Sequence, residues 1–147
     1  MSKPIPKTSR SLPIALLRAR ERVMGPIREM LSGVGITEQQ WRVLRVLQED
    51  GPQEPTRIAE QACLLLPSLT RILQKLEEKE LIARERDTRD RRRQIVQITD
   101  DGALLIEANI AKSLALLDRT RDRMGAERYD TLLDLLNELD DGEKGRP

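Results

Sequence analysis

The side chains best suited to chemistry in this sequence lie between Ser68 and Arg93. Ser68, Thr70, Arg71, Gln74 and Lys75 fall within one short run. Hydroxyls, an amide and cations can donate to phosphates and to base edges, and Arg71 and Gln74 are the types suited to bidentate base contacts. Farther on, Arg89, Asp90, Arg91, Arg92 and Arg93 put four guanidinium groups within five residues. Such an electropositive tip matches the width and charge of a DNA minor groove. The chemistry of enzymes is sparse by comparison. There is no histidine and one cysteine, Cys63, which nearly excludes a His/Cys metal centre or a histidine-dependent nucleophile. Neither a phosphate-cradling glycine loop nor a nucleophile–base pair occurs, so the sequence points away from an enzyme and calls for no cofactor.

Taken singly, a polar helix face and a charge run are ordinary solvated surface. Their order is what carries information. Leu69, Ile72, Leu73 and Leu76 recur at the helical period within residues 66–79, leaving the polar residues on the opposite face. Pro67 suits the first turn, where its missing N–H is no loss. Residues 82–86 and 94–98 carry the β-branched Ile82, Ile95, Val96 and Ile98, and residues 87–93 between them are polar turn formers. The sequence therefore predicts helix, strand, basic tip, strand, which is the pattern of a winged helix-turn-helix.

The remaining elements are read outward from that stretch. Residues 1–10 show no periodicity and read as an extended arm. Ser11 can cap a helix bearing Leu12, Ala15, Leu16, Ala19 and Val23, and Gly25-Pro26 is expected to kink or break it. Ile27, Met30 and Leu31 extend its apolar face to a stop at 32–35. Thr37 and Gln40 form a capping box before Trp41, Val43, Leu44 and Leu47. A short helix over about 56–62 completes the helix-turn-helix with 66–79. Beyond the hairpin, Thr99 can cap a long helix whose first turn holds Asp100 and Asp101. It runs to about Arg123, and after Gly125 a last helix carries Tyr129, Leu132, Leu133, Leu135, Leu136 and Leu139. The leucine-rich terminal helices exceed the needs of one small core and predict a homodimer. This divides one interlocked domain into an N-terminal arm and dimerisation helix (1–35), a DNA-binding region (36–99) and C-terminal dimerisation helices (100–147).

Composition is consistent with that plan. Charged residues make up 35% of the 147 residues and aromatics 1%, so the core must be Leu, Ile, Val and Ala, favouring a mainly α fold. No apolar run is long enough to span a bilayer and no signal-peptide segment is evident, so a soluble, cytoplasmic protein without membrane partners is expected. A net charge of +1 looks low for a nucleic-acid binder until it is divided along the chain. Residues 1–50 hold nine Lys/Arg against five Asp/Glu, and residues 66–98 nine against six, whereas residues 99–147 hold seven against twelve. A cationic DNA face and an acidic distal face would show that asymmetry.

Asp90-Arg91-Arg92 followed by Ile98-Thr99-Asp100-Asp101-Gly102 resembles the D-x-R … L-T-x-x-G wing motif of the MarR family, with Ile98 a conservative departure. The likeness in element order covers about residues 12–140. It implies a dimer on a palindromic operator in double-stranded DNA, Arg92 in the minor groove oriented by Asp90, and the 66–79 helix in the major groove. Within the family, residues 14–21, 36–42, 62–64 and 67–70 are similar to those of repressors of homoprotocatechuate (4-hydroxyphenylacetate) catabolic operons. That resemblance implies a repressor released by a small aromatic carboxylate bound between dimerisation helices and winged domain. Arg20, then Arg18, would grip the carboxylate, since a guanidinium fork pairs with it bidentately, with Met24 and Trp41 as apolar wall. An alternative is a thiol redox-sensing regulator acting through Cys63. Against it, Ala62, Leu64, Leu65 and Leu66 form an apolar setting that should keep the thiol inert.

Overall fold

The computed structural model describes residues 3–141. Among these, a single 3-10 turn at Thr8–Arg10 precedes α1 (Leu12–Ser32), α2 (Glu38–Asp50), α3 (Pro55–Ala62) and α4 (Leu66–Glu78). There follow β1 (Ile82–Arg86), β2 (Gln94–Ile98), α5 (Asp100–Met124) and α6 (Ala126–Asp141). The mainly helical fold with a hairpin wing is as the sequence predicts. No helix of the described residues is long and apolar enough to cross a membrane. The chain forms two compact units, one of Ile27–Ala111, the other of the residues up to Pro26 with those from Lys112 on.

In the Ile27–Ala111 unit, the apolar stripes found by periodicity supply the core. Leu31 of α1, Val43, Leu44 and Leu47 of α2, Ile58 of α3, Leu69, Leu73 and Leu76 of α4, Val96 of β2 and Ile106 of α5 are fully buried. Each such burial contributes about 1.5–3 kcal/mol relative to exposure. The hairpin is antiparallel, with Ile82 opposite Ile98, Arg84 opposite Val96 and Arg86 opposite Gln94. Buried Ile82 and Val96 hold its base against the helices, while Glu85 and Arg86 reach solvent.

Two junctions fix where elements begin. The Thr37 side chain accepts from the Gln40 N–H at 3.1 Å, and the Gln40 side chain accepts from the Thr37 N–H at 3.1 Å, completing the capping box. At the far end of the wing, the Thr99 hydroxyl accepts from the Gly102 N–H at 3.1 Å and donates to the Glu80 carbonyl at 2.8 Å. It thus caps α5 and ties that cap to the α4–β1 turn. A Cβ at Gly102 would stand 2.3 Å from the Leu81 carbonyl oxygen and 2.7 Å from Cγ1 of Ile98. That carbonyl is itself held by the Thr99 N–H at 3.0 Å, so it cannot step aside cheaply. Gly102→Ala should therefore destabilise the protein by about 1–3 kcal/mol, seen as a lower urea midpoint at unchanged slope.

Of the kink or break expected at Gly25-Pro26, the break does not occur: α1 runs through Pro26 without interruption to Ser32. Arg22 and Pro26 are both exposed, so water can satisfy the Arg22 carbonyl that proline leaves unpaired. In the terminal unit, α6 buries none of its residues, and its five leucines are exposed, as are Leu12, Leu16 and Leu17 of α1.

Candidate nucleic-acid interface

Helix α4 separates its two faces cleanly. With Leu69, Leu73 and Leu76 inside, Thr70, Arg71, Gln74 and Lys75 stand exposed and Ser68 half-buried. All five polar residues predicted to meet DNA thus lie on the outer side. Thr70 differs from the expectation in one respect. Its hydroxyl donates to the Leu66 carbonyl at 3.1 Å, so toward a ligand it offers acceptance and a methyl group. Lys75 lies 3.7 Å from Glu78 with both side chains solvated, a pairing too weak to hold it from a phosphate. Lys79, by contrast, donates to the Gly35 carbonyl at 2.6 Å and anchors the end of α4 to the α1–α2 turn.

The hairpin is fastened to that helix and to the chain before α3. Arg84 donates to both carboxylate oxygens of Glu77, at 2.9 and 3.2 Å. This fork keeps the Glu77 carboxyl below its usual range and the guanidinium above its own. Gln53 forms a two-bond bridge with Val96, its N–H donating to the Val96 carbonyl at 3.0 Å and its carbonyl accepting at 2.8 Å. Arg93 then pairs with Glu54, the residue that opens α3, and lies 4.0 Å from Asp87 on the other side of the loop. So Arg93, the fourth arginine of the basic run, is a fastening of the wing base. Sequence reasoning missed both links, because nothing local connects residues 53 and 54 with residues 93–96.

At the tip, two aspartates shape the loop. Asp87 accepts from the Arg89 N–H at 3.0 Å, and Asp90 from the Arg92 N–H at 3.1 Å, each closing a side-chain turn. The same Asp90 oxygen accepts from Nε of Arg92 at 3.2 Å. These donations from Arg92, backbone first, hold the Asp90 carboxyl below its ordinary value. Arg92 is 92% exposed in its side chain, so it is steered at its root and free at its fork. Arg89 and Arg91 are exposed beside it. The tip therefore presents three guanidinium groups, of which Asp90 orients that of Arg92.

The residues expected to bind an effector are divided between the two units. Arg18, Arg20 and Met24 all lie on α1 in the terminal unit, the arginines exposed and Met24 half-buried. Arg18 donates to the Thr8 hydroxyl at 3.4 Å and lines a shallow hollow of about 740 Å³ with Leu17, Glu21, Arg22 and Pro26. Trp41 is buried in the other unit. Cys63 departs from its expected apolar enclosure: it is exposed. The reason is its place as the residue ending α3 in a left-handed backbone conformation, φ 55°, which turns the chain and leaves the thiol outside.

Comparison with known proteins agrees with this geometry. Residues 36–93 match the MarR family model. The chain is 39% identical over 129 residues to the HTH-type transcriptional regulator FarR of Neisseria gonorrhoeae, covering 88% of each. It is 34% identical over 129 residues to the homoprotocatechuate degradative operon repressor of Escherichia coli, covering 88% of this chain and 87% of that one. The crystal structure of NadR in complex with 4-hydroxyphenylacetate is similar at 37% identity and a TM-score of 0.80, over 93% of this chain and 97% of that chain.

Proposed function

The chain belongs to the MarR family, and we propose that this winged-helix transcriptional repressor controls an aromatic-acid catabolic operon and leaves its operator when an aromatic carboxylate binds. One observation carries the DNA part of the reading. The unit of Ile27–Ala111 presents a polar outer face on α4 and, beyond it, an arginine tip oriented by Asp90. Major-groove reading by the first and minor-groove insertion by the second account for both. The class of operon and effector is supported by the E. coli relative named for homoprotocatechuate degradation and by the NadR complex with 4-hydroxyphenylacetate.

The protein acts as a homodimer in the cytoplasm. Two recognition helices one helical turn apart read a palindrome, and joining two sites multiplies their separate affinities. Arg20, backed by Arg18, receives the effector's carboxylate, with Met24 and Trp41 as the apolar candidates. Binding there favours a spacing of recognition helices that no longer fits successive grooves.

The test begins with a duplex enriched from random DNA by the full-length chain. Titrating 4-hydroxyphenylacetate or homoprotocatechuate into the complex should release the duplex. Arg20→Ala should raise the acid concentration needed roughly tenfold or more, as loss of a charge-assisted hydrogen bond implies. Failure of every aromatic acid to release the DNA would remove the effector assignment and leave the DNA reading standing. A second reading, redox sensing through Cys63, draws on the exposure of that thiol; peroxide that leaves DNA affinity unchanged removes it.

A further inference from the structure

Two leucines stand where a water-soluble protein should least want them. Leu65, the residue that opens α4, is 77% exposed, and Leu66, its first helical residue, is 44% exposed. The core does not use them, since Leu69, Leu73 and Leu76 already supply the inner face of the helix. Leu66, Thr70 and Gln74 follow one another at successive helical turns. The hydrogen bond from the Thr70 hydroxyl to the Leu66 carbonyl confirms that the first two are stacked. The exposed stripe of α4 thus runs from leucine through a threonine methyl to an amide. It is apolar at the N-terminal end, the end that a recognition helix sends to the base edges.

We propose that Leu65 and Leu66 read thymine 5-methyl groups on the floor of the major groove. The inference rests on the DNA-binding reading above and adds a specificity determinant to it. The occupant follows from continuity with Ser68, Arg71 and Gln74. A duplex that meets those residues also meets the two leucines, and the thymine methyl is the apolar group it exposes in that groove. Gln74, two turns along the stripe from Leu66, is the type that pairs with adenine. The same stripe is therefore built for A·T pairs at both ends, through the methyl of one base and the amide-pairing edge of the other.

The experiment uses the enriched duplex, resynthesised with deoxyuridine replacing thymidine at one position at a time. Uracil keeps every hydrogen-bonding group and lacks only the methyl. The wild-type protein should lose about fourfold in affinity at one or two thymines per half-site, the ratio that burial of one methyl-sized group carries. Leu65→Ala with Leu66→Ala should bind the thymidine and deoxyuridine duplexes alike at those positions. Both leucines lie outside the core, and an unchanged thermal midpoint confirms that the variant is folded. Equal wild-type affinity for every uracil duplex overturns the proposal, as does a thymidine preference that survives in the leucine variant. Failure to enrich any duplex would instead overturn the DNA-binding reading, and this one with it.

Discussion

Arg92→Ala is expected to weaken binding to the enriched duplex roughly ten- to a hundredfold, the scale of about 1–3 kcal/mol for a lost specific contact. The loss should be greatest where the flanks of the palindrome are A·T-rich, since a narrow minor groove concentrates the negative potential that draws an inserted arginine. Charge alone predicts something different: removing any of Arg89, Arg91 or Arg92 would cost the same and would lower the salt slope by about one. The wing argues against that equivalence, because Arg92 is the arginine whose backbone and Nε Asp90 holds. Asp90→Ala separates the two accounts. It makes the tip more positive, so non-specific binding should strengthen. Specific affinity should nonetheless fall roughly two- to tenfold, the cost of ordering one long side chain at an interface. A rise in both would show that Asp90 steers nothing.

The same pair sets a pH expectation. In the folded chain, hydrogen bonds from Arg92 depress the Asp90 carboxyl. A depressed acid contributes its stabilisation above its unfolded value and loses it only as pH falls through the folded one. Wing orientation should therefore be constant through neutral pH and fail only in acid, below the ordinary carboxylate range. Fluorescence anisotropy of the duplex across that range checks it.

Much of this was legible because the controlling interactions are local. The hairpin strands fall at 82–86 and 94–98 as β-branched spacing predicts, and Thr37 and Gln40 cap α2 as their three-residue spacing requires. Gly102 enters the sequence reading as a motif letter, and its cause appears only in three dimensions, where α5 starts against the Leu81 carbonyl. What stayed hidden depends on contacts between distant segments. Arg93 reads as one more cation of a basic run, yet Glu54, thirty-nine residues away, takes it. Cys63 reads as enclosed because its neighbours are apolar, but a left-handed backbone puts it outside. Periodicity reports which face is apolar; it does not report how the chain turns between elements.

Leu135→Asp with Leu139→Asp should leave a monomer that has lost DNA affinity by about two to four orders of magnitude, the advantage of linked over single sites. The reasoning starts from α6. A sixteen-residue helix with no buried residue gains nothing from a core of its own, and helices of that length are marginal in water without tertiary packing. Leu135 and Leu139 are 57% and 54% exposed, so within one chain a carboxylate at either position would be solvated and nearly harmless. Across a two-fold interface each substitution is present twice, and four carboxylates would be desolvated together. Light scattering reads the mass, and the enriched duplex reads the affinity. A wild-type chain that is monomeric, or a variant that remains dimeric with full affinity, would detach α6 from the interface and require another surface to set the spacing of the recognition helices. If instead mass and affinity fall together while the urea transition of the Ile27–Ala111 unit is kept, the acidic terminal helices serve assembly and the cationic wing serves recognition. The uneven distribution of charge along the chain would then follow from that division.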